Sequence, residues 1–221
     1  LGDRLRCGTA LTRLVRTRSG WEAWLAAFDG GPVRRVSARA VIWAAPLFLS
    51  AHLIDGLPAP AKAYARSLNY APWLLAQLTL HSMPQEASGA PLSWDNVLYG
   101  SASLGLVNAR QQRFALREAP SVWTWYHAFA AGAASAARMQ LLMLPREHWI
   151  EMILADLAPA YPDLLSHLER IDLVRHGHAM VRPLPGFLTA LGRRWFAAGE
   201  ASLQFAHADV SGFSLCEEAH A

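Results

Sequence analysis

Three stretches of the 221-residue chain combine residue types and spacings that can do chemistry. Near the end, Phe205-Ala-His-Ala-Asp209-Val-Ser211-Gly212 sets a carboxylate just past a short apolar strand, and Glu217-Glu218-Ala219 opens a helix soon after. A carboxylate at a strand end can accept hydrogen bonds from ribose or ribityl hydroxyls, and free N–H groups at a helix start can cradle a phosphate. The same residues also suit a capped turn, with Asp209 or Ser211 satisfying backbone donors. The second stretch, His176-Gly177-His178, offers two imidazoles on one face of a strand. A metal site needs a third and usually a fourth ligand, so ordinary hydrogen bonding is expected and no metal is assigned. In the third, Asp95-Asn96 between Trp94 and Tyr99 reads either as turn capping or as substrate-facing.

Other chemistries find little footing. His148 and Glu151 stand three apart on an expected helix, which is not the His-Glu-x-x-His of a zinc protease. Ser50, Ser93, Ser101, Ser103, Ser211 and Ser214 carry no nucleophile-elbow sequence and no ordered Asp and His partners along the chain, so hydrolysis has little support and no catalytic residue is assigned. Cys7 and Cys216 form no Cys-x-x-Cys unit and read as reduced thiols, which makes the cytoplasm the default location.

The elements that must position these residues follow from periodicity and breakers. Thr9 to Arg16 and Trp21 to Phe28 are strands around a Ser19-Gly20 turn. Ala38 to Ala45 runs apolar into Pro46 and reads as one buried strand, with a short helix over Leu47 to Ile54. Ala61 to Leu68 is a helix and Trp73 to His81 an alternating strand; Trp94 to Tyr99, Leu104 to Asn108 and Ser121 to Phe129 supply further strands. Arg146 to Leu157 shows the three-and-four spacing of a half-buried helix that Pro159 stops. A short helix over Leu164 to Leu168, a strand over Ile171 to His178 and a closing strand over Leu203 to Ala206 complete the order. Phe187 to Ala198 has a helical period weakened by Gly192.

Composition bounds the class. Hydrophobic residues make up 53% of the chain, enough for a substantial core. Against 17 Asp and Glu stand 20 basic residues, all Arg except Lys62 and without a basic stripe; the net charge of +3 does not predict nucleic-acid binding. No stretch reaches the roughly 18 nearly uncharged apolar residues of a membrane span. The nine tryptophans are read first as core.

On its residues the chain resembles the FAD-dependent amine oxidoreductases. GTALTRLVRTRSGWEAWLAA followed by ARAVIWAAPLFL looks like that family's hairpin and next strand, and FAHADVSGFSLCEEA looks like its closing FAD contact motif. LSWDNVLYGSASLGLVNA and RHGHAMVRPLPGF resemble a poorly characterised bacterial branch. The resemblance implies a mixed α/β (α+β) fold, in which an incomplete FAD-binding lobe of NAD(P)-binding Rossmann-like type is interleaved with a mixed-sheet substrate lobe. Residues 1–57 and 186–221 would belong to the first lobe and 58–185 to the second. It further implies a backbone approach to adenine at Leu11, a cofactor cleft lined by Ala45-Pro46, and a ribityl or pyrophosphate carboxylate at Asp209 with Ser211 beside it. Glu217 and Ala219 match the family's Glu-Gly-Ala segment, with Glu218 in place of the glycine. The Gly-x-Gly-x-x-Gly turn is absent from the sequence. The expectation is therefore part of a longer flavoprotein that binds FAD weakly or not at all by itself, is inactive alone, and tends to self-associate. The activity implied is hydride transfer to FAD from an amine or activated C–C substrate, partly hydrophobic. The alternative is a noncatalytic binding or structural module of the same fold.

Overall fold

The structure, a computed structural model, describes residues 4–89, 91–112 and 120–215. The chain forms two compact units, one from residues 1–69 and 181–221 and the other from residues 70–180. Cys216, Glu217, Glu218 and Ala219 lie outside the described residues.

The first unit begins with β1 (Thr9–Thr17), β2 (Gly20–Ala27) and β3 (Arg34–Ala38), an antiparallel sheet in the order β1-β2-β3. Its tight closure depends on Gly20, where an added Cβ would come within 2.2 Å of the Ala38 carbonyl oxygen. The single strand expected over Ala38 to Ala45 is instead divided. β3 ends at Ala38 in the antiparallel sheet, and β4 (Val41–Trp43) pairs in parallel with β10 (Leu203–Phe205). The chain changes sheets at Arg39-Ala40, because Val41 donates its N–H to the Ser202 carbonyl rather than continuing along β2. Helices α1 (Leu47–Leu53), α2 (Ala59–Ser67) and α6 (Leu191–Ala198) complete the unit, with α2 against both others. Thus α2, grouped by the sequence reading with the second lobe, belongs to the first compact unit.

Gly192, a poor helix former, is required by packing. A Cβ there would lie 2.2 Å from Tyr64 Cβ and 2.7 Å from the Pro60 carbonyl oxygen, so α2 and α6 approach over a bare backbone. The chain leaves this unit after Asn69 and returns at Val181, and the next residue, Arg182, bonds Asn69 twice: N–H to the carbonyl at 2.6 Å and Nε to Oδ1 at 2.9 Å.

The second unit is a five-stranded sheet in the order β6-β7-β8-β5-β9, made of β5 (Tyr70–Leu80), β6 (Asp95–Asn96), β7 (Leu106–Asn108), β8 (Ser121–Ala128) and β9 (Leu168–Val181). Alternation along β5 buries Leu74, Ala76, Leu78 and Leu80 on one face, opposite Trp123 and Trp125 of β8. Helix α4 (Arg146–Leu157) covers that face with Trp149, Ile153 and Leu157, joined by Leu141 of α3 (Ala134–Met143). Each large apolar side chain so buried contributes about 1.5–3 kcal/mol.

A short helix, α5 (Leu164–His167), precedes β9. The alanine-rich α3 went unpredicted, although alanine is the strongest helix former. The expected strand at Trp94 to Tyr99 shrinks to two residues, since Asn96 turns the chain on itself: its Oδ1 accepts the Ser93 N–H and its Nδ2 donates to the Ser93 carbonyl. Among the described residues no helix is long and apolar enough to cross a membrane.

Candidate functional site

Parallel strands aim their carboxyl ends to one side, where loops from separate parts of the chain can meet. At the β4–β10 pair, Trp43 stands opposite Phe205, and Ala206 N–H donates to the Trp43 carbonyl at 2.9 Å. From there one loop runs through Ala44, Ala45 and Pro46 into α1, the other through His207 to Asp209. Asp209 is 2% exposed, and its Oδ2 accepts the Leu47 N–H at 3.1 Å, directly after Pro46. Residues 162 positions apart are thereby joined at the carboxyl edge of the pair. His207 Nδ1 stands 3.1 Å from the same Oδ2 and the same distance from the Asp209 N–H.

The surroundings make this corner rigid. Arg193 Nη1 donates to the carbonyls of Val210 at 2.7 Å and Ser211 at 3.3 Å, fastening the 209–212 turn to α6. Ser211 Oγ donates to the Ala208 carbonyl and accepts the Phe213 N–H, so its hydroxyl caps the turn. Tyr64 is buried against Phe187 and Phe196, and burial pushes its phenol up to about 12, with the Arg193 charge opposing and the Asp209 charge adding. Its hydroxyl and the Trp43 Nε1 are buried without a hydrogen-bond partner among the described residues.

Of the sequence-marked residues, the structure therefore brings together Ala45-Pro46, Asp209 and Ser211. Leu11 lies on β1 opposite Leu25, partly buried at an irregularity in the pairing, and among the described residues no hydrogen bond ties its side chain to that corner. Glu217, Glu218 and Ala219 are outside the described residues. Tyr64, Trp43 and Arg193 were missed. Tyr64 and Arg193 lie outside both halves of the motif, on α2 and α6, and nothing local distinguishes Trp43 from a core tryptophan.

The donor set can be weighed against FAD. At the start of α1, the Leu47 N–H is taken by Asp209 and the Leu49 N–H by the Pro46 carbonyl, which leaves neither for a pyrophosphate. The Trp43 Nε1 and the Tyr64 hydroxyl are enclosed together with their side chains, and the Asp209 carboxylate is buried as well. The corner joins two loops at the strand ends and offers neither the Leu47 nor the Leu49 N–H to a phosphate.

The second unit carries two further arrangements. A cleft of about 790 Å³ lies between the 86–101 segment and the end of α4, with Glu86, Asp95 and Asp156 on its walls beside Tyr99 and Tyr161. Asp156 accepts Ser101 Oγ and, at 2.8 Å, Trp125 Nε1; Asp95 accepts the Tyr126 hydroxyl at 3.3 Å. Tyr161 is pushed up to about 12 by burial and by Glu86, and Tyr126 is raised by burial and by Asp95. At the end of β5, Ser82 Oγ is 2.8 Å from His167 Nδ1, and His167 Nε2 is 3.0 Å from Asp163 Oδ2. No sequence pattern marks Ser82, because His167 lies 85 positions away. His178 stands edge-on to Tyr70, with its imidazolium disfavoured by burial and then by Arg138. Among the described residues no group of three potential metal ligands assembles.

Comparison with protein-family models gives no match, and neither does comparison with curated proteins. Solved structures do match. Putrescine oxidase, as the wild type bound to putrescine, aligns with a TM-score of 0.65 at 15% identity over 99% of this chain and 47% of its own. Cyclohexylamine oxidase from Brevibacterium oxydans IH-35A aligns with a TM-score of 0.64 at 13% identity over 95% of this chain and 45% of its own. The chain spans less than half the length of either. At such identities the likeness is one of fold: a mixed α/β arrangement corresponding to part of a flavin amine oxidase-like fold.

Proposed function

We propose that this chain is the central and C-terminal portion of a flavin-dependent oxidoreductase that takes hydride from an amine or an activated C–C unit. The carrying observation is the Asp209 carboxylate locked to the chain after Pro46 at the carboxyl edge of β4 and β10. It occurs within a fold shared with amine oxidases. When bound, FAD supplies the hydride acceptor.

The residues of the chain have simpler tasks in this reading. Asp209 and Arg193 hold the two loops in place. The Trp43 N–H and Tyr64 hydroxyl, which have no partner among the described residues, are the donors this reading assigns to cofactor hydroxyls. The second unit contributes the substrate lobe, whose tryptophan-rich core gives a rigid frame for an apolar substrate. The pyrophosphate cradle is assigned to a strand, glycine turn and helix not contained in this sequence.

Purification of the full-length protein tests the reading. Bound FAD that bleaches under dithionite and recovers in air is expected, whereas a folded protein that stays colourless after FAD addition establishes the noncatalytic alternative. For the 221 residues alone, flavin fluorescence titration should show weak or no binding; submicromolar affinity would overturn the assignment of the cradle elsewhere.

A further inference from the structure

We propose that His81, Ser82 and His167, backed by Asp163, form a one-proton clamp that fastens the 81–85 segment to the corner between α5 and β9 in acid and loosens it as the histidines deprotonate. The proposal is independent of the flavin reading and rests on counting hydrogens along an observed chain of contacts. His81 Nε2 lies 2.9 Å from the Ser166 carbonyl oxygen, and His167 Nε2 lies 3.0 Å from Asp163 Oδ2. Both outer partners only accept, so both Nε2 atoms must carry hydrogen. Both Nδ1 atoms then face one oxygen: Ser82 Oγ, at 2.9 Å from His81 and 2.8 Å from His167.

Ser82 has one hydrogen to give. With two neutral imidazoles, one Nδ1 is satisfied and the other confronts an oxygen lone pair at hydrogen-bond distance. One added proton, on either Nδ1, completes all four bonds, and the Asp163 carboxylate compensates its charge. Ser82, His167 and Asp163 have the connectivity of a nucleophile, base and carboxylate. Here, though, the hydroxyl sits in the middle of a chain between two imidazoles, which suits a bridge and not an attacking group.

The clamp has a mechanical output. Asp163 also accepts the Gln85 N–H, at 2.9 Å to Oδ1 and 3.2 Å to Oδ2, and the Ala87 N–H bonds the Ala160 carbonyl at 2.8 Å. These bonds hold the entry of the segment that walls the 790 Å³ cleft. The His81 N–H joins the His167 carbonyl at 3.0 Å, so the backbone brings the two rings together whatever their protonation. Other charges near the cluster are accounted for. Arg170, further along β9, is paired with Asp172, Glu169 is exposed, and Glu86 accepts the Leu92 N–H.

Amide hydrogen exchange on the intact protein at pH 5.5 and pH 8.0 tests the clamp, with rates corrected for intrinsic exchange and the Leu104 amide as an internal reference. The Gln85 and Ala87 amides should lose protection about tenfold between the two pH values relative to Leu104, the equivalent of one hydrogen bond of roughly 1.4 kcal/mol. Ser82→Ala should abolish that difference. Should Ser82→Ala fail to fold, His81→Gln provides the same test, since its amide can meet Ser82 without taking up a proton. Equal protection at both pH values in the wild type overturns the proposal, as does a pH dependence that survives either substitution.

Discussion

Both units bury apolar side chains, but the second does so in one layer and the first around joints between distant segments. In the second, an uninterrupted apolar layer runs from the sheet into α3 and α4, with Trp123 and Trp125 at its centre. The first unit also buries apolar side chains, among them Leu14, Trp21, Trp43, Leu47, Phe196 and Leu203, and adds polar bonds between distant parts of the chain: Asp209 to Leu47, Trp21 to Ser202, Arg16 to Glu200 and Arg13 to Asp55. A continuous core tolerates sequence drift so long as volume is kept, whereas a set of point fasteners depends on particular atoms.

Substitutions can break or sharpen this contrast. The largest effect is expected from Trp123→Ala, fully buried in the second unit, at about 3–5 kcal/mol in urea unfolding. A loss under 1 kcal/mol would remove the claim that the apolar layer carries that unit. In the first unit, Gly192→Leu should cost about 3 kcal/mol by forcing α2 from α6, with the Tyr64 environment altered in near-ultraviolet circular dichroism. Asp209→Ala, which strands the Leu47 N–H, should cost about 2 kcal/mol, and Asp209→Asn clearly less because an acceptor remains. Equal losses for the two would show that charge, and not the cap, matters at that position.

A smaller effect concerns pH. Burial, outweighing its bond with Ala102 and the Asp156 charge, disfavours the His127 imidazolium. Between its lowered value and the ordinary value near 6.5, the folded state therefore holds fewer protons than the unfolded chain. The stability involved is complete above that ordinary value and is lost as pH falls through the folded one. His127→Gln should flatten this part of the stability profile. The smallest effect is Arg170→Ala, which breaks an exposed ion pair and should move stability by no more than about 0.5 kcal/mol.

Long periodic elements were legible in the sequence. α4 has the predicted bounds, and the alternation of β5 points its apolar face inward as its pattern requires. The site was legible only where it is local. Phe205 to Ser211 reads as a strand end with a carboxylate, but whether Asp209 meets a ligand or a backbone donor depends on Leu47, far away in sequence. The structure gives the backbone donor, the simpler of the two readings. The sheet change at Arg39-Ala40 was hidden for a similar reason: an apolar run is equally compatible with one long strand and with two short ones in different sheets. The bridge at Ser82 shows the limit most clearly, since no local pattern links His81 to His167.

The paired hydrogen bonds between Asn69 and Arg182 have a practical corollary. The polypeptide departs and re-enters at a single point, so everything from Tyr70 to Met180 is an excursion with adjoining ends. Such an insert can be transplanted: a brief glycine-serine bridge across the excision would preserve the parent scaffold, and the removed piece could be joined head to tail into a circle without stretching its sheet.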